Sequence, residues 1–526
     1  MIGFTAVAVL AFAYLVLKLR RDLHMLQQNS YREERYRRWR EGHKDDNCPK
    51  REYLFYFGLG MWAVFGGKWF LLPLGMLALL LISYKRPAEI IPLKMTPRAT
   101  RLLHTAWAFA AAGCLAAAVC ARFGLVGRLA GGVLLVLVVG ESWRIMLAAA
   151  SYRAPKEAAI NAAFAKEAHD MIAAAPNLKV VGVTGSFGKT SSKLILASML
   201  EEQFLTLATP ESYNTPMGVT RVVREKLRPI DEVFVCEMGA RQKGDIAELC
   251  ELAQPVVGLL TAIGEQHLET FHNIETIIDT KFELIAALPE DGVAVLNCEN
   301  EHIAANAHRA KCKVLRYGFS PEFDYYADEI DYGPRGAEFT LHAPEGCSCR
   351  FRSALLGRHN ILNIVGAAAA ADALGLPLTK AARGVARLAP LPHRLQLLER
   401  GELHVLDDAY NSNPAGAASA LEVLSLLGEG KKILITPGMV ELGEREYQLN
   451  YEFAQAACKV CDYIILVGKN HSRPLQDGVR DAGFDASRCY VAADLADAQR
   501  YLATIAAAGD TVLYENDLPD TYKENA

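Results

Sequence analysis

The sequence predicts an α/β protein with a helical transmembrane N-terminal region, then a P-loop-type parallel-sheet domain and a smaller dinucleotide-fold-like C-terminal domain. Three observations predict it. Long apolar runs crowd into the first 150 of 526 residues, in a chain whose mean hydropathy is +0.10. Charge divides at the same place: residues 1–156 hold 22 Lys+Arg against 9 Asp+Glu, and the remainder holds 34 against 51. Beyond residue 178, short β-branched runs alternate with stretches of helical spacing, the pattern of βαβ units around a mainly parallel sheet. The expected domains are 1–155, 156–389 and 390–526. The basic part is also the apolar part, where basic loops mark membrane topology, so the charge points to no nucleic-acid partner. Twelve cysteines without framework spacing read as reduced thiols.

Ile2–Leu17 is a continuous apolar run followed by Lys18, Arg20 and Arg21, with no small-residue cleavage site after it, which reads as a retained anchor. Residues 18–52 hold eleven Lys+Arg, expected to stay on the cytoplasmic side. Tyr53–Tyr84 is apolar apart from Gly66-Gly67-Lys68 and reads as one tilted span or a tight hairpin of two short passes. The basic loop 85–101 belongs on the same side as loop 18–52, which requires two crossings between them. Leu102–Cys120, rich in Ala and suited to close helix packing, and Leu129–Ala150 complete a second hairpin. Glu141 and Arg144, one turn apart, are expected to pair. The expectation is five spans, a multi-pass inner-membrane protein in contact with membrane lipid, and catalytic domains in the cytoplasm.

Residues 151–177 read as a helical connector ending at Pro176. Strands are expected at Val180–Val183, Val233–Glu237, Val256–Thr261 and Val293–Asn297, a helix at Ser191–Glu202, and a hairpin from Ala337–His342 to Ser348–Leu355. The C-terminal domain has strand candidates at His404–Asp407, Lys432–Thr436, Tyr463–Val467, Cys489–Ala492 and Thr511–Tyr514. It lacks the GxGxxG fingerprint.

The chemistry is concentrated at Val183-Thr184-Gly185-Ser186-Phe187-Gly188-Lys189-Thr190. Here a strand runs into a glycine turn and Lys-Thr opens a helix. Backbone N–H groups of such a turn, with the helix N-terminus, bind polyphosphate; Lys189 reaches the terminal phosphates and Thr190 offers an oxygen to Mg²⁺. The full GxxxxGK[ST] pattern is not met, because Val183 stands where its first glycine would be.

This short form, TGSxGKT, resembles the Mur ligases, the ATP-dependent amide ligases of peptidoglycan precursor synthesis, and the resemblance extends through most of residues 178–470. Asn214-Thr215-Pro216-Met217-Gly218 is similar to the family's substrate loop, with Asn411 a further substrate contact. Cys236-Glu237-Met238-Gly239-Ala240 is similar to the strand end that presents a metal-binding Glu. Glu265-Gln266-His267 resembles the His motif, and Lys281-Phe282-Glu283 the lysine that the family carbamylates. Gly357-Arg358-His359-Asn360-Ile361-Leu362-Asn363 resembles the adenine-contacting motif. His393-Arg394-Leu395 and Asp407-Asp408-Ala409-Tyr410-Asn411-Ser412-Asn413 resemble the two segments that close on ATP. With Gly438–Gly443, the Asp-Asp-Ala-Tyr-Asn form is most similar to the MurF branch, which adds D-Ala-D-Ala to a UDP-muramoyl tripeptide.

The resemblance implies an acyl-phosphate route with ATP and Mg²⁺. In it Thr190 and Glu237 hold one Mg²⁺, and His267 and a carbamylated Lys281 help hold a second. Lys189 and Arg394 screen the transferring phosphoryl group, while Thr184, Gly185, Ser186, Gly188, Asn360, Asn363 and Asp408 bind nucleotide. Two departures bear on substrate rather than on ATP. The membrane segment leads almost directly into the glycine turn, where the family has a small UDP-sugar-binding domain. The last strand runs into Glu515-Asn516-Asp517, where the family has a Lys-Gly-Ser-Arg-type segment. The implied partners are a muramoyl-peptide acceptor, soluble or lipid-linked, and an amino-acid or dipeptide amine.

Overall fold

The computed structural model describes the chain except residues 1, 30, 43–49, 85–91, 211–212, 266–267, 272, 334–335, 411, 428–429, 441 and 518–526. Its described residues form two compact units, Met1–Asn161 and Ala162–Asp517.

The first unit is helical. Helix Ile2–Gln28 runs well beyond the expected anchor, and helices Glu52–Phe65, Leu71–Ile82, Pro97–Cys120 and Gly124–Gly140 follow, with the start of Ser142–Ala173. Helices Pro97–Cys120 and Gly124–Gly140 form the hairpin the Ala-rich composition suggests. A Cβ on Gly131 would lie 2.5 Å from the Ala117 carbonyl oxygen, so only glycine permits that approach.

Two helices, Gly3–Gln28 and Pro97–Cys120, are long and apolar enough to cross a membrane; a third span results if Gly124–Gly140 and Ser142–Ala173, bent by 75°, act as one. Five full-length spans are therefore not what the described residues offer. Gly66-Gly67 interrupts Tyr53–Tyr84 and leaves helices of 14 and 12 residues, folded back so that Gly58 meets Pro73. At ~1.5 Å per residue each falls short of a hydrocarbon core of ~30 Å. Glu141 and Arg144 pair as expected, 3.0 Å apart, at the bend. The connector is no separate element: it continues Ser142–Ala173.

A polar core runs through this unit that the hydropathy pattern does not announce. Lys18, expected at the end of a span, is buried and lies 2.9 Å from Glu52, which also accepts from the hydroxyls of Tyr14 (2.8 Å) and Tyr56 (2.7 Å). Asp22 accepts from Ser142 Oγ (2.7 Å) and Tyr36 Oη (2.9 Å). Each buried carboxylate thus has the partners its desolvation demands.

The second unit holds two sheets. The first has nine strands: β1 (Lys179–Thr184), β2 (Thr206–Ala208), β3 (Val233–Glu237), β4 (Val257–Leu260), β5 (Val293–Asn297), β6 (Lys313–Gly318), β7 (Tyr325–Gly333), β8 (Gly336–His342) and β9 (Ser348–Ser353), in the order β2-β3-β1-β4-β5-β6-β7-β8-β9. It is parallel from β2 to β7, and β7, β8 and β9 pair antiparallel, which includes the expected hairpin. Helices Lys189–Leu200, Arg358–Ala373 and Leu378–Ala386 cover one face. Helices Pro216–Lys226, Asp245–Ala253 and Ile274–Ala286 cover the other. Strand order reverses about β1, whose neighbours are β3 and β4, and a doubly wound sheet opens its binding crevice at the carboxyl end of such a strand.

The second sheet is β10 (Gln396–Arg400), β11 (Leu403–Asp408), β12 (Lys432–Thr436), β13 (Tyr463–Val467), β14 (Cys489–Ala492) and β15 (Thr511–Glu515), ordered β10-β11-β15-β12-β13-β14 and parallel except for β10. All five strands expected here are present. The strands not anticipated, β2, β6, β7 and β10, are short, edge-placed or rich in charged residues, so period and hydropathy gave little sign of them.

Candidate active site

The glycine turn lies at the carboxyl end of β1, at the reversal point. Gly185 has φ +153° and Gly188 φ +80°. A Cβ on Gly185 would lie 2.1 Å from Thr261 Oγ1, and one on Gly188 2.7 Å from Asn363 Oδ1. Both positions therefore need glycine for space as well as for conformation. Side chains around the turn hold its shape. Thr184 Oγ1 donates to the Met238 carbonyl (2.8 Å), Ser186 Oγ to that of Gly264 (2.9 Å), and Thr261 Oγ1 to that of Phe187 (2.5 Å).

Lys189 opens helix Lys189–Leu200 and folds back over the turn, its Nζ donating to the carbonyls of Gly185 (2.6 Å) and Ser186 (2.9 Å). Burial pulls its ammonium down to about 8, with Arg394 adding to the effect and Glu237 opposing it. One residue on, Thr190 Oγ1 donates to Glu237 Oε1 at 3.2 Å. Glu237, at the end of β3, is 1% exposed; Asn214 Nδ2 donates to the same oxygen (3.0 Å) and Lys193 Nζ lies 3.0 Å from Oε2. Burial alone would raise the carboxyl's pKa, but Lys193 and Lys189 outweigh it and hold Glu237 below the usual carboxylate value.

Lys193 is the residue the sequence reading missed. The signal was a lysine four residues after Lys189, on the same face of a helix otherwise small and apolar, in line with a strand-end carboxylate.

Lys281 is buried in helix Ile274–Ala286, its ammonium 6.0 Å from the centre of the Phe271 ring. Burial first, then the charge of Lys189, hold its pKa well below the ordinary lysine value. Arg394 lies over Tyr410, 4.4 Å from the ring centre, and its charge reaches Lys189. Lys189 and Lys193 thus converge on one carboxylate, and Arg394 and Lys281 are close enough to interact with Lys189, an electropositive recess suited to a polyanion. Thr190 Oγ1 and Glu237 Oε1 are hard oxygen donors, and this sparse set fits a Mg²⁺ ion that keeps water and takes phosphate oxygens for its remaining positions. Among the described residues no group of three or more His, Cys, Asp or Glu could hold a metal without such help.

The remaining candidates have structural commitments. Asn360 Nδ2 donates to the Leu356 carbonyl (2.7 Å), and Asn363 Nδ2 to Asn360 Oδ1 (3.2 Å). Ser192 Oγ donates to Asn363 Oδ1 (3.2 Å), the atom that packs over Gly188. The pair therefore braces the turn from behind. Thr215 caps helix Pro216–Lys226, accepting from the Gly218 amide at 3.3 Å. Asp408 Oδ1 accepts from the Leu395 amide (3.1 Å), and its neighbour in register on β15 is Glu515. Burial raises both carboxyls, Asp408 to about 7. His267 and Asn411 lie outside the described residues. Arg445 pairs with Glu265, and His359 Nδ1 lies 2.7 Å from Ser419 Oγ, tying the two sheets' lobes across the recess.

Residues 183–371 match the Mur ligase middle domain, and residues 393–514 match the Mur ligase glutamate ligase domain. The UDP-N-acetylmuramoyl-tripeptide–D-alanyl-D-alanine ligase of Escherichia coli (strain K12) is 31% identical over 354 residues, covering 66% of this chain and 77% of the relative. The ligase of the same name from Bacillus subtilis (strain 168) is 33% identical over 276 residues, 52% of this chain and 59% of the relative, so the match spans less than two thirds of that protein. Among solved structures, the MurF ligase from Thermotoga maritima in complex with ADP aligns with a TM-score of 0.60 at 26% identity, covering 68% of this chain and 80% of that one.

Proposed function

The chain belongs to the Mur ligase family, and we propose that it is an ATP-dependent carboxylate–amine ligase whose ATP-binding turn is Gly185–Gly188 and whose products are peptidoglycan precursors. One observation supports this above the rest: a single buried carboxylate, Glu237, engaged by Thr190, Asn214 and Lys193 beside the Lys189 turn. A recess with more positive charge than its one carboxylate balances suits triphosphate and metal together.

In the proposed reaction an acceptor carboxylate oxygen attacks the γ-phosphorus of ATP. The bond to the β-phosphate oxygen breaks, giving ADP and an acyl phosphate. The amine nitrogen then attacks the acyl carbon, loses a proton and expels phosphate, leaving the amide. Lys189 and Arg394 stabilise the negative charge that gathers on the transferring group. The turn's amides and the first turn of helix Lys189–Leu200 hold the phosphates, and Asp408 orients the nucleotide from the second lobe. Bound at Thr190 and Glu237, Mg²⁺ would neutralise phosphate charge.

Lys281 has the character that carbamylation needs. Its pKa, held well below the ordinary lysine value by burial, favours the neutral amine that attacks CO₂, and the carbamate brings oxygen donors to a buried position. His267 is proposed to share the second metal with it. The helical unit is proposed to anchor the enzyme at a membrane, standing where the UDP-sugar domain would be. Among acceptors the MurF-type reading ranks first, because the relatives that match carry that name.

Phosphate release by the full chain in neutral detergent, with Mg-ATP, tests the reading. Release that requires both UDP-muramoyl tripeptide and D-Ala-D-Ala supports a MurF-type ligase. Release only with a lipid-linked peptide acceptor moves the assignment to that substrate. No release with either, from a folded protein, overturns the ligase reading.

A further inference from the structure

A cavity of about 300 Å³ opens in the helical unit, between the end of helix Ile2–Gln28, the start of Pro97–Cys120 and the middle of Ser142–Ala173. Its size suits a small-molecule site. Four charged side chains line it: Arg98, Arg153, Glu33 and Glu157. Both carboxylates are already neutralised. Glu157 is gripped by Arg101 through two bonds of 2.7 Å, and Glu33 pairs with Arg37 at 2.5 Å. Neither Arg98 nor Arg153 pairs with a carboxylate among the described residues. Arg153 Nε donates to Thr105 Oγ1 (2.7 Å), and the Arg98 guanidinium lies 4.2 Å from the centre of the Tyr31 ring. Their charges nonetheless reach Glu157, so three arginines, Arg98, Arg101 and Arg153, share that one carboxylate and the cavity is left with an excess of positive charge.

Its other wall is apolar. Leu26, Leu102 and Leu147 line it and are buried. Leu102 lies one turn into its helix from Arg98, and Leu147 nearly two turns from Arg153 toward the apolar end. Ala150, Ala154 and Ala158, at helical spacing on the same lining, leave the space open. The lining is thus cationic and aliphatic together.

We propose that this cavity binds a phosphate monoester headgroup borne on an aliphatic chain. The Arg98 and Arg153 guanidinium groups, in excess over the one carboxylate they share with Arg101, match the two charges and planar oxygen edges of a phosphate monoester, a geometry ammonium groups do not reproduce. The leucine wall receives the first segment of the chain. The site is independent of the ligation chemistry and involves none of its residues.

The test uses the full chain in neutral detergent, with binding read by native mass spectrometry and by titration. The probes are phosphatidic acid, a polyprenyl phosphate, phosphatidylcholine and inorganic phosphate. The expected result is that one or both phosphate monoester lipids bind at least ~10-fold tighter than phosphatidylcholine, and that Arg98→Ala/Arg153→Ala removes this preference. The pair Arg98→Lys/Arg153→Lys, which keeps charge without the fork, should fall between. Ala154→Trp, which fills the cavity and leaves both arginines, should also lose the lipids, and it decides the matter if the alanine pair does not fold. Whether the diacyl or the polyprenyl lipid binds tighter identifies the source of the chain. Equal binding of phosphatidylcholine, unchanged binding by the variants, or inorganic phosphate binding as tightly as the lipids overturns the proposal.

Discussion

Lys193 Nζ lies 3.0 Å from Glu237 Oε2, with side-chain exposures of 0% and 1%. The lysine stands one turn beyond Lys189, so one helix face carries both cations that hold the carboxylate ionised. Such a pair is costly to break from one side, because the remaining charge is left buried and uncompensated. Lys193→Met is expected to cost about 3–5 kcal/mol of stability, measured by denaturant unfolding. Lys193→Met/Glu237→Gln should recover much of it. If the single variant is as stable as the parent, the pair does not hold the site together.

Lys189→Ala should abolish ATP turnover, by ~100-fold or more, while leaving the melting temperature of the second unit near that of the parent. Its amine bonds carbonyls of its own turn, and Lys193 remains paired with Glu237 without it, so little stability is lost. Phosphate release and thermal melting, measured on the same preparation, check this. Normal turnover would remove the turn from the active site.

Lys281→Ala should lose activity and regain part of it when a short carboxylic acid is added. Such an acid supplies the oxygen donors that a carbamate would have placed there. Activity of the parent enzyme should also rise with dissolved bicarbonate after CO₂ has been stripped from it. No rescue of the variant would count against the carbamate while leaving the ATP site untouched.

Asp408 and Glu515 are opposed in register on β11 and β15, both with raised pKa values, Asp408 at about 7. A folded-state pKa above the unfolded value of ~3.9 means the native state holds more protons between those limits. Stability should therefore fall as pH rises from about 4 through about 7. Glu515→Gln removes one of the two charges and should flatten that slope, with a gain on the order of 1–2 kcal/mol at pH 8. Thermal melts across pH check both; a parent protein with no slope in that window would rule out the raised carboxyls.

Much of the second unit was legible because its strands are short, β-branched and buried on both faces, a pattern that survives without partners in view. The glycine turn was legible for a different reason: the positive φ of Gly185 and Gly188 is a backbone requirement written in the glycines themselves, while the space that Thr261 and Asn363 deny a side chain there is tertiary. The four missed strands lack that signature. β10 and β2 lie at sheet edges, and β7 alternates with Asp and Glu, so their pairing is decided by neighbours distant in the chain.

The sequence by itself determined the division between apolar helices and α/β sheets, the family resemblance, and the order of the residues proposed to bind ATP. The first is a property of composition and period; the other two rest on motif residues and their order along the chain. The hairpin at Gly66-Gly67 was also expected from the sequence; only the tertiary structure decided that Lys18 is a buried partner of Glu52 rather than a span-end charge. It also decided that Lys193 holds Glu237, that Asn360 and Asn363 brace the turn, and that Glu515 meets Asp408. Each of these joins residues far apart in the chain or gives a side chain its burial. The energy of a buried charge depends on what surrounds it in space, which one-dimensional spacing does not contain.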